Sequence, residues 1–169
     1  LVSYSFAGID LIKTSQTASA NGVEPHITNN ILIDFTGQYS GSQLLVSLTS
    51  GSVYQDGAGG TGAPSDLFVG LVETLKWDSF VTQGGLTTDT SDGAVGVGGG
   101  AVNIGGDSAA KWDTEALNQA WNPAPGVTIV DQSSFVVSQV TLTPDAQGTW
   151  RFLASADGKF GVVSDDPSH

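Results

Sequence analysis

Cysteine and methionine are both absent from the chain. Without cysteine there is no disulfide framework, no thiolate zinc site and no cysteine nucleophile. Without methionine there is no initiator residue, and Leu1 is expected to be a mature terminus left by export. Basic residues are scarce: Lys and Arg total 5 against 17 Asp and Glu, a formal net charge of −12. That imbalance repels phosphate backbones and anionic headgroups, which argues against a nucleic-acid partner and a membrane surface. No apolar run approaches the roughly 20 residues that span a bilayer. The 2 histidines, His26 and His169, are not at metal-ligand spacing, and a Ser-His-Asp triad has only His26, in a polar stretch, to draw on.

What remains is a chain of 169 residues in which 39% are hydrophobic and just 13% charged, enough apolar material for one folded domain. With 23 glycines and many Ser and Thr, the composition favours strands joined by tight turns over a helical bundle.

Alternating apolar residues mark the strands. Val2, Tyr4 and Phe6 alternate, and the phase shifts at Ala7-Gly8 before Ile9 and Leu11. Residues 13–30 are polar and read as a loop or linker. ILIDF (31–35) predicts a strand, GQYSGS (37–42) a turn, and QLLVSL (43–48) another strand. Ser65 caps an expected helix whose Leu67, Phe68, Leu71, Val72 and Leu75 form one apolar face. Residues 77–82 read as a strand. The Gly-rich stretch 83–109 reads as loop, with a short strand at 101–104. WDTEALNQAW (112–121) predicts a helical turn or two. Strands follow at 127–130, 135–143 and 149–155, then a hairpin turn ADGK (156–159) and a strand at 160–163. The sum is an all-β fold, an immunoglobulin-like or jelly-roll β-sandwich with one or two short helices and a detached N-terminal strand.

Chemistry-bearing motifs are sparse. GVGGGA (96–101) has the letters of a dinucleotide fingerprint but lacks the helix that must follow it. Most aspartates sit in turn contexts, where their side chains bond the local backbone. Asp34, Asp78 and Asp131 lie in or beside strands, and they are the residues a hydrolase dyad would draw on. The expectation is that the protein is not an enzyme and needs no cofactor. Asp89 and Asp92 in TTDTSDG (87–93) are weak candidates for a structural calcium ion. Of the 4 tryptophans, Trp77 and Trp150 fall in alternating strands, which leaves Trp112 and Trp121 as the candidate platform for a glycan.

The N-terminal segment is the most specific feature. Residues 1–16 read as a strand able to pair in a neighbouring subunit, 17–30 as its linker, and 31–169 as the sandwich domain. Val2, Tyr4, Phe6, Ile9 and Leu11 are the expected donor side chains. Burying them contributes on the order of 10 kcal/mol gross, against roughly 12–24 kcal/mol to order twelve residues, so a donated strand needs a well-formed groove. A head-to-tail contact of that kind builds a filament.

QLLVSLTSGSVYQD, LKWDSFVTQGG, WDTEALNQAWNP and VSQVTLTPDAQGTWRFLAS, in this order, resemble a group of secreted single-domain bacterial proteins with cohesin-type or immunoglobulin-like sandwiches. The resemblance spans residues 31–160 and implies a fold and export. Residues 1–12 alone are similar to the inserted strand of extracellular bacterial fibril subunits, although the cysteine pair of usher-type pilins is missing. Together these imply a secreted or cell-surface structural subunit that polymerises with itself. The alternative is a monomeric cohesin-like or carbohydrate-binding adhesion module, with a glycan or protein partner.

Overall fold

A computed structural model describes residues 2–6, 9–60, 62–91, 94–96, 116–157 and 159–165. Trp112, Asp92 and the strand expected at 101–104 lie outside them. The described residues form nine strands: β1 (Val2–Phe6), β2 (Ile9–Thr17), β3 (Ile27–Ser50), β4 (Phe80–Gly84), β5 (Ala94–Gly96), β6 (Ala116–Pro123), β7 (Val130–Leu142), β8 (Gln147–Ala156) and β9 (Lys159–Asp165). One short helix, α1 (Asp66–Leu71), and a 3-10 turn (Glu73–Trp77) interrupt the β3–β4 connection. The fold is all-β, as alternation and turn chemistry predict.

β3 organises everything else. It is 24 residues long and runs through both layers of the molecule. Its first half, 27–38, pairs antiparallel with β2 on one side and β7 on the other, with β1 beyond β2 and β4 beyond β7. Its second half, 39–50, pairs with β8 and β6, with β9 beyond β8 and β5 beyond β6. The nine strands are therefore one sheet that curls over at β3 until its two halves face each other.

The turn expected at 37–42 is a bend inside this continuous strand. Before it, Ile31, Ile33, Phe35 and Tyr39 face the core; after it, Ser42, Leu44 and Val46 do. The inward set thus changes from odd to even positions, which takes one extra residue, and the register against β8 slips between Tyr39 and Gly41. Backbone groups at the bend lose their ladder partners, and aspartates replace them. The Gly37 N–H donates to Asp131 Oδ1 (2.7 Å) and the Gln38 N–H to Asp157 Oδ1 (2.9 Å). The Asp157 N–H returns a bond to the Gln38 carbonyl at 2.9 Å, and the Tyr39 N–H donates to the Ile129 carbonyl at 2.9 Å. Asp131 and Asp157 hold φ of 50° and 49°, a left-handed conformation that Asp tolerates better than most residues.

Residues 2–6 and 9–16, within the segment 1–16 expected to stand apart, pair within the body. β1 and β2 form a hairpin in register Val2↔Lys13 to Phe6↔Ile9, and β2 continues the sheet on β3. Ile9 and Leu11 are each 1% exposed and belong to the main core with Phe35, Trp121 and Phe152. The expected linker is also largely structured: Thr17 ends β2 and Ile27 opens β3, so only 18–26 connects them. That connection is packed, because Ala18, Ala20 and Val23 form a second small core with Trp77. Its polar letters hide this, since the contacts run through small side chains and through backbone bonds such as Ala18 N–H to the His26 carbonyl (2.8 Å).

Two helix expectations need correction. Residues 116–123 form β6, whose Ser42↔Trp121 to Ser47↔Ala116 pairing on β3 overrides local helix propensity. The helix begun at Ser65 stops at Leu71, because Val72 is extended (φ −128°, ψ 94°) and separates it from the 3-10 turn.

Candidate functional site

The break at Val72 decides what the β3–β4 connection presents. A continuous helix would set Leu75 on the same stripe as Leu67 and Leu71. With the break, Leu75 and Trp77 turn into the protein while α1 buries none of its residues. Leu67 is 68% exposed, Phe68 57% and Leu71 71%. The apolar face predicted for this helix exists, but it points to solvent.

The connection is held firmly. Ser65 Oγ accepts the Phe68 N–H at 3.2 Å, closing the helix N-terminus. Asp89 Oδ2 accepts the Asp66 N–H at 2.8 Å, and the Thr88 N–H donates to the Pro64 carbonyl at 2.9 Å. These bonds tie the β4–β5 loop to α1 and bring Leu86, 40% exposed, onto the same end of the sandwich. Asp89, the described member of the expected calcium pair, accepts this helix N–H through Oδ2, while Asp92 lies outside the described residues. Among the described residues no group of three or more His, Asp or Glu is arranged to hold a metal ion.

At the end of the 3-10 turn lies a network of ionisable groups. Asp78 is 1% exposed, and its Oδ1 accepts the Asp56 N–H (2.8 Å) and the Ser79 N–H (2.9 Å). Its Oδ2 has no hydrogen-bond partner and packs against Gly59, where any Cβ would collide with it. Burial pushes the Asp78 carboxyl up to about 7, and the nearby Asp56 charge adds to the rise against its two backbone bonds. Asp56 moves the other way. Burial raises it, but hydrogen bonds from the Thr74 hydroxyl, the Ala58 N–H and the Tyr54 hydroxyl outweigh that and hold it below the usual carboxylate range. The Tyr54 hydroxyl is driven up to about 12, first by burial and then by its bond to Asp56. His26 packs edge-on against Tyr54 at 5.5 Å. It is a packing residue beside the small core, against which Tyr54 packs.

The three strand-associated aspartates do not converge. Asp34 accepts the Ser134 N–H at 2.6 Å and, like Asp131, belongs to the β3 bend, whereas Asp78 is buried at the end of the 3-10 turn. Each is occupied with backbone donors.

Of the expected glycan platform only Trp121 is described, and Trp112 lies outside the described residues. Trp121 is fully buried, and its Nε1–H donates across the layers to the Thr82 carbonyl at 3.2 Å. It lies in strand β6, where Gln119, Ala120 and Trp121 are all buried and which the sequence disguised as helix. On the outer face of the sheet, beside its backbone, a shallow cleft of about 270 Å³ is lined by Gly41, Gln43, Asn122, Leu153 and Ser155 among others.

No protein-family model, no curated protein sequence and no solved structure matches this chain.

Proposed function

We propose that the chain is a non-catalytic binding module of a secreted or cell-surface protein, working as a self-contained β-sandwich. The observation that carries this reading is the N-terminal hairpin. Ile9 and Leu11 fill the chain's own core, and the connection to β3 is packed against Trp77, so each copy completes its own sheet. A module reading also accords with six of the described aspartates: Asp34, Asp56, Asp78, Asp89, Asp131 and Asp157 each accept a backbone N–H group. Carboxylates occupied in this way brace loops and are poorly placed to act on a substrate.

Strand donation is the second reading, and one observation favours it. Among the described strands β1 pairs with β2 alone and so ends its layer, and an alternating apolar edge strand invites pairing with another copy. Exchange of the whole hairpin between copies would reproduce the same β2–β3 ladder between subunits.

Deleting residues 1–16 separates the two. The module reading expects a monomeric full-length chain by light scattering, and a truncated chain that unfolds or loses several kcal/mol, since Ile→Ala or Leu→Ala alone costs about 2–5 kcal/mol in a core. Filaments of the full-length chain in electron micrographs, abolished by the truncation, would reject it in favour of a fibril subunit.

A further inference from the structure

Leu67, Phe68 and Leu71 on α1, with Leu86 on the loop bonded to it, are four of the five large apolar residues that stand exposed among the described residues. Their clustering at one end of the sandwich is not a by-product of poor folding. Ser65 caps the helix, Asp89 and Thr88 fix the neighbouring loop to it, and Leu75 and Trp77 anchor the 3-10 turn below. A capped helix bonded to its neighbouring loop, with exposed apolar side chains on both, is the signature of a contact surface.

The charges around it indicate what the surface meets. Asp66 precedes Leu67, Glu73 follows Leu71 by two positions, and Asp89 is bonded to the Asp66 N–H; all three are exposed. The adjacent cation, Lys76, lies over the Trp77 ring at 5.0 Å, on the side of the small core. The patch is therefore apolar at its centre and acidic at its margin, on a chain whose net charge is −12. A second copy would oppose acid to acid, and an anionic membrane would be repelled in the same way. An apolar surface with basic residues beside it matches on both counts.

We propose that α1 and the 85–90 loop form the docking surface of this module for a protein partner that offers a cationic amphipathic helix, its apolar face on Leu67, Phe68, Leu71 and Leu86 and its lysines or arginines against Asp66, Glu73 and Asp89. This rests on the binding-module reading above and specifies its partner. Helix-on-surface recognition needs a few apolar anchors at helical spacing and gains its partner selectivity from the flanking charges.

The test uses the full chain and two synthetic amphipathic helical peptides, one of leucine and lysine and one of leucine and glutamate, followed by backbone amide NMR. The lysine peptide should shift resonances of residues 65–72 and 84–90, with affinity falling as salt is raised. Leu67→Ser with Leu71→Ser, exposed changes that leave the core intact, should weaken it about tenfold or more, as loss of central anchors does. Asp66→Asn with Glu73→Gln should weaken it less and flatten the salt dependence. The proposal is overturned by shifts spread over the whole acidic surface, by equal binding of the glutamate peptide, or by no loss in the double-serine variant. Concentration-dependent dimerisation through the same residues would assign the patch to self-association, and binding to zwitterionic vesicles lost in that variant would assign it to a membrane; either also overturns it. The binding-module reading fails separately, if the truncation test yields filaments.

Discussion

Trp121 and Thr82 join the two layers: the indole N–H of one donates to the backbone carbonyl of the other at 3.2 Å, in the interior. The indole also packs on Phe152 at 6.1 Å between ring centroids. It is at once the largest fully buried side chain among the described residues and a cross-layer hydrogen-bond donor. Replacing it with phenylalanine keeps the aromatic contact but orphans the Thr82 carbonyl and leaves a void. The expected loss is about 2–4 kcal/mol, read from the urea midpoint. A loss well under 1 kcal/mol would mean that the indole bond contributes little.

Asp78 and Asp56 predict opposite limbs of a pH–stability curve. Asp78 has its folded pKa raised to about 7 from 3.8, so the folded state holds a proton that the unfolded chain releases. Its contribution is full below about pH 4 and is lost as pH rises through about 7, by at most about 4 kcal/mol at 1.4 kcal/mol per unit. Asp56 is lowered, so its contribution is present above about pH 4 and is lost on acidification. Thermal stability should therefore peak on the acid side of neutrality. Asp78→Asn should flatten the decline between pH 5 and 8, and Asp56→Asn should flatten the acid limb. Parallel curves for Asp78→Asn and the parent protein would show that Asp78 is ionised in the fold at pH 5.

Gly37 combines two constraints that a double-mutant cycle can separate. Its φ of 85° strains any other residue, and a Cβ there would run into the Asp157 carboxylate. Gly37→Ala should cost about 2–4 kcal/mol in the parent protein. In an Asp157→Ala background, the further cost should fall to about 1–2 kcal/mol, the conformational part alone. The same increment in both backgrounds would mean that Asp157 simply moves aside.

The strand content was legible in the sequence because alternation is local. ILIDF, QLLVSL and TWRFLAS all lie in strands, and the ADGK turn joins β8 to β9. The fusion of the first two was not legible. Glycines at 37 and 41 read as chain reversal, and the groups that turn reversal into a bend, Asp131 and Asp157, come from 94 and 119 positions away. The same limit explains Trp121: its neighbours predict a helix, and only pairing with Ser42 assigns it to a strand and to the interior. At the site, the periodic stripe Leu67–Phe68–Leu71 was visible, but its direction was not. An apolar stripe is read as facing a core, and the one residue that reverses that reading, extended Val72, gives no signal beyond being β-branched.

The sharing of β3 by both layers also sets an order of events during synthesis. Thr28 and Thr141, whose hydroxyls meet at 2.8 Å, are 113 positions apart, and every partner of β3 except β2 lies downstream of it. Until β6, β7 and β8 have been made, a long and largely apolar strand has hydrogen-bonding edges with nothing to pair to. Native topology of this kind folds slowly, and the half-made chain is its most adhesive form. A nascent chain of this protein needs shielding until its last third has emerged.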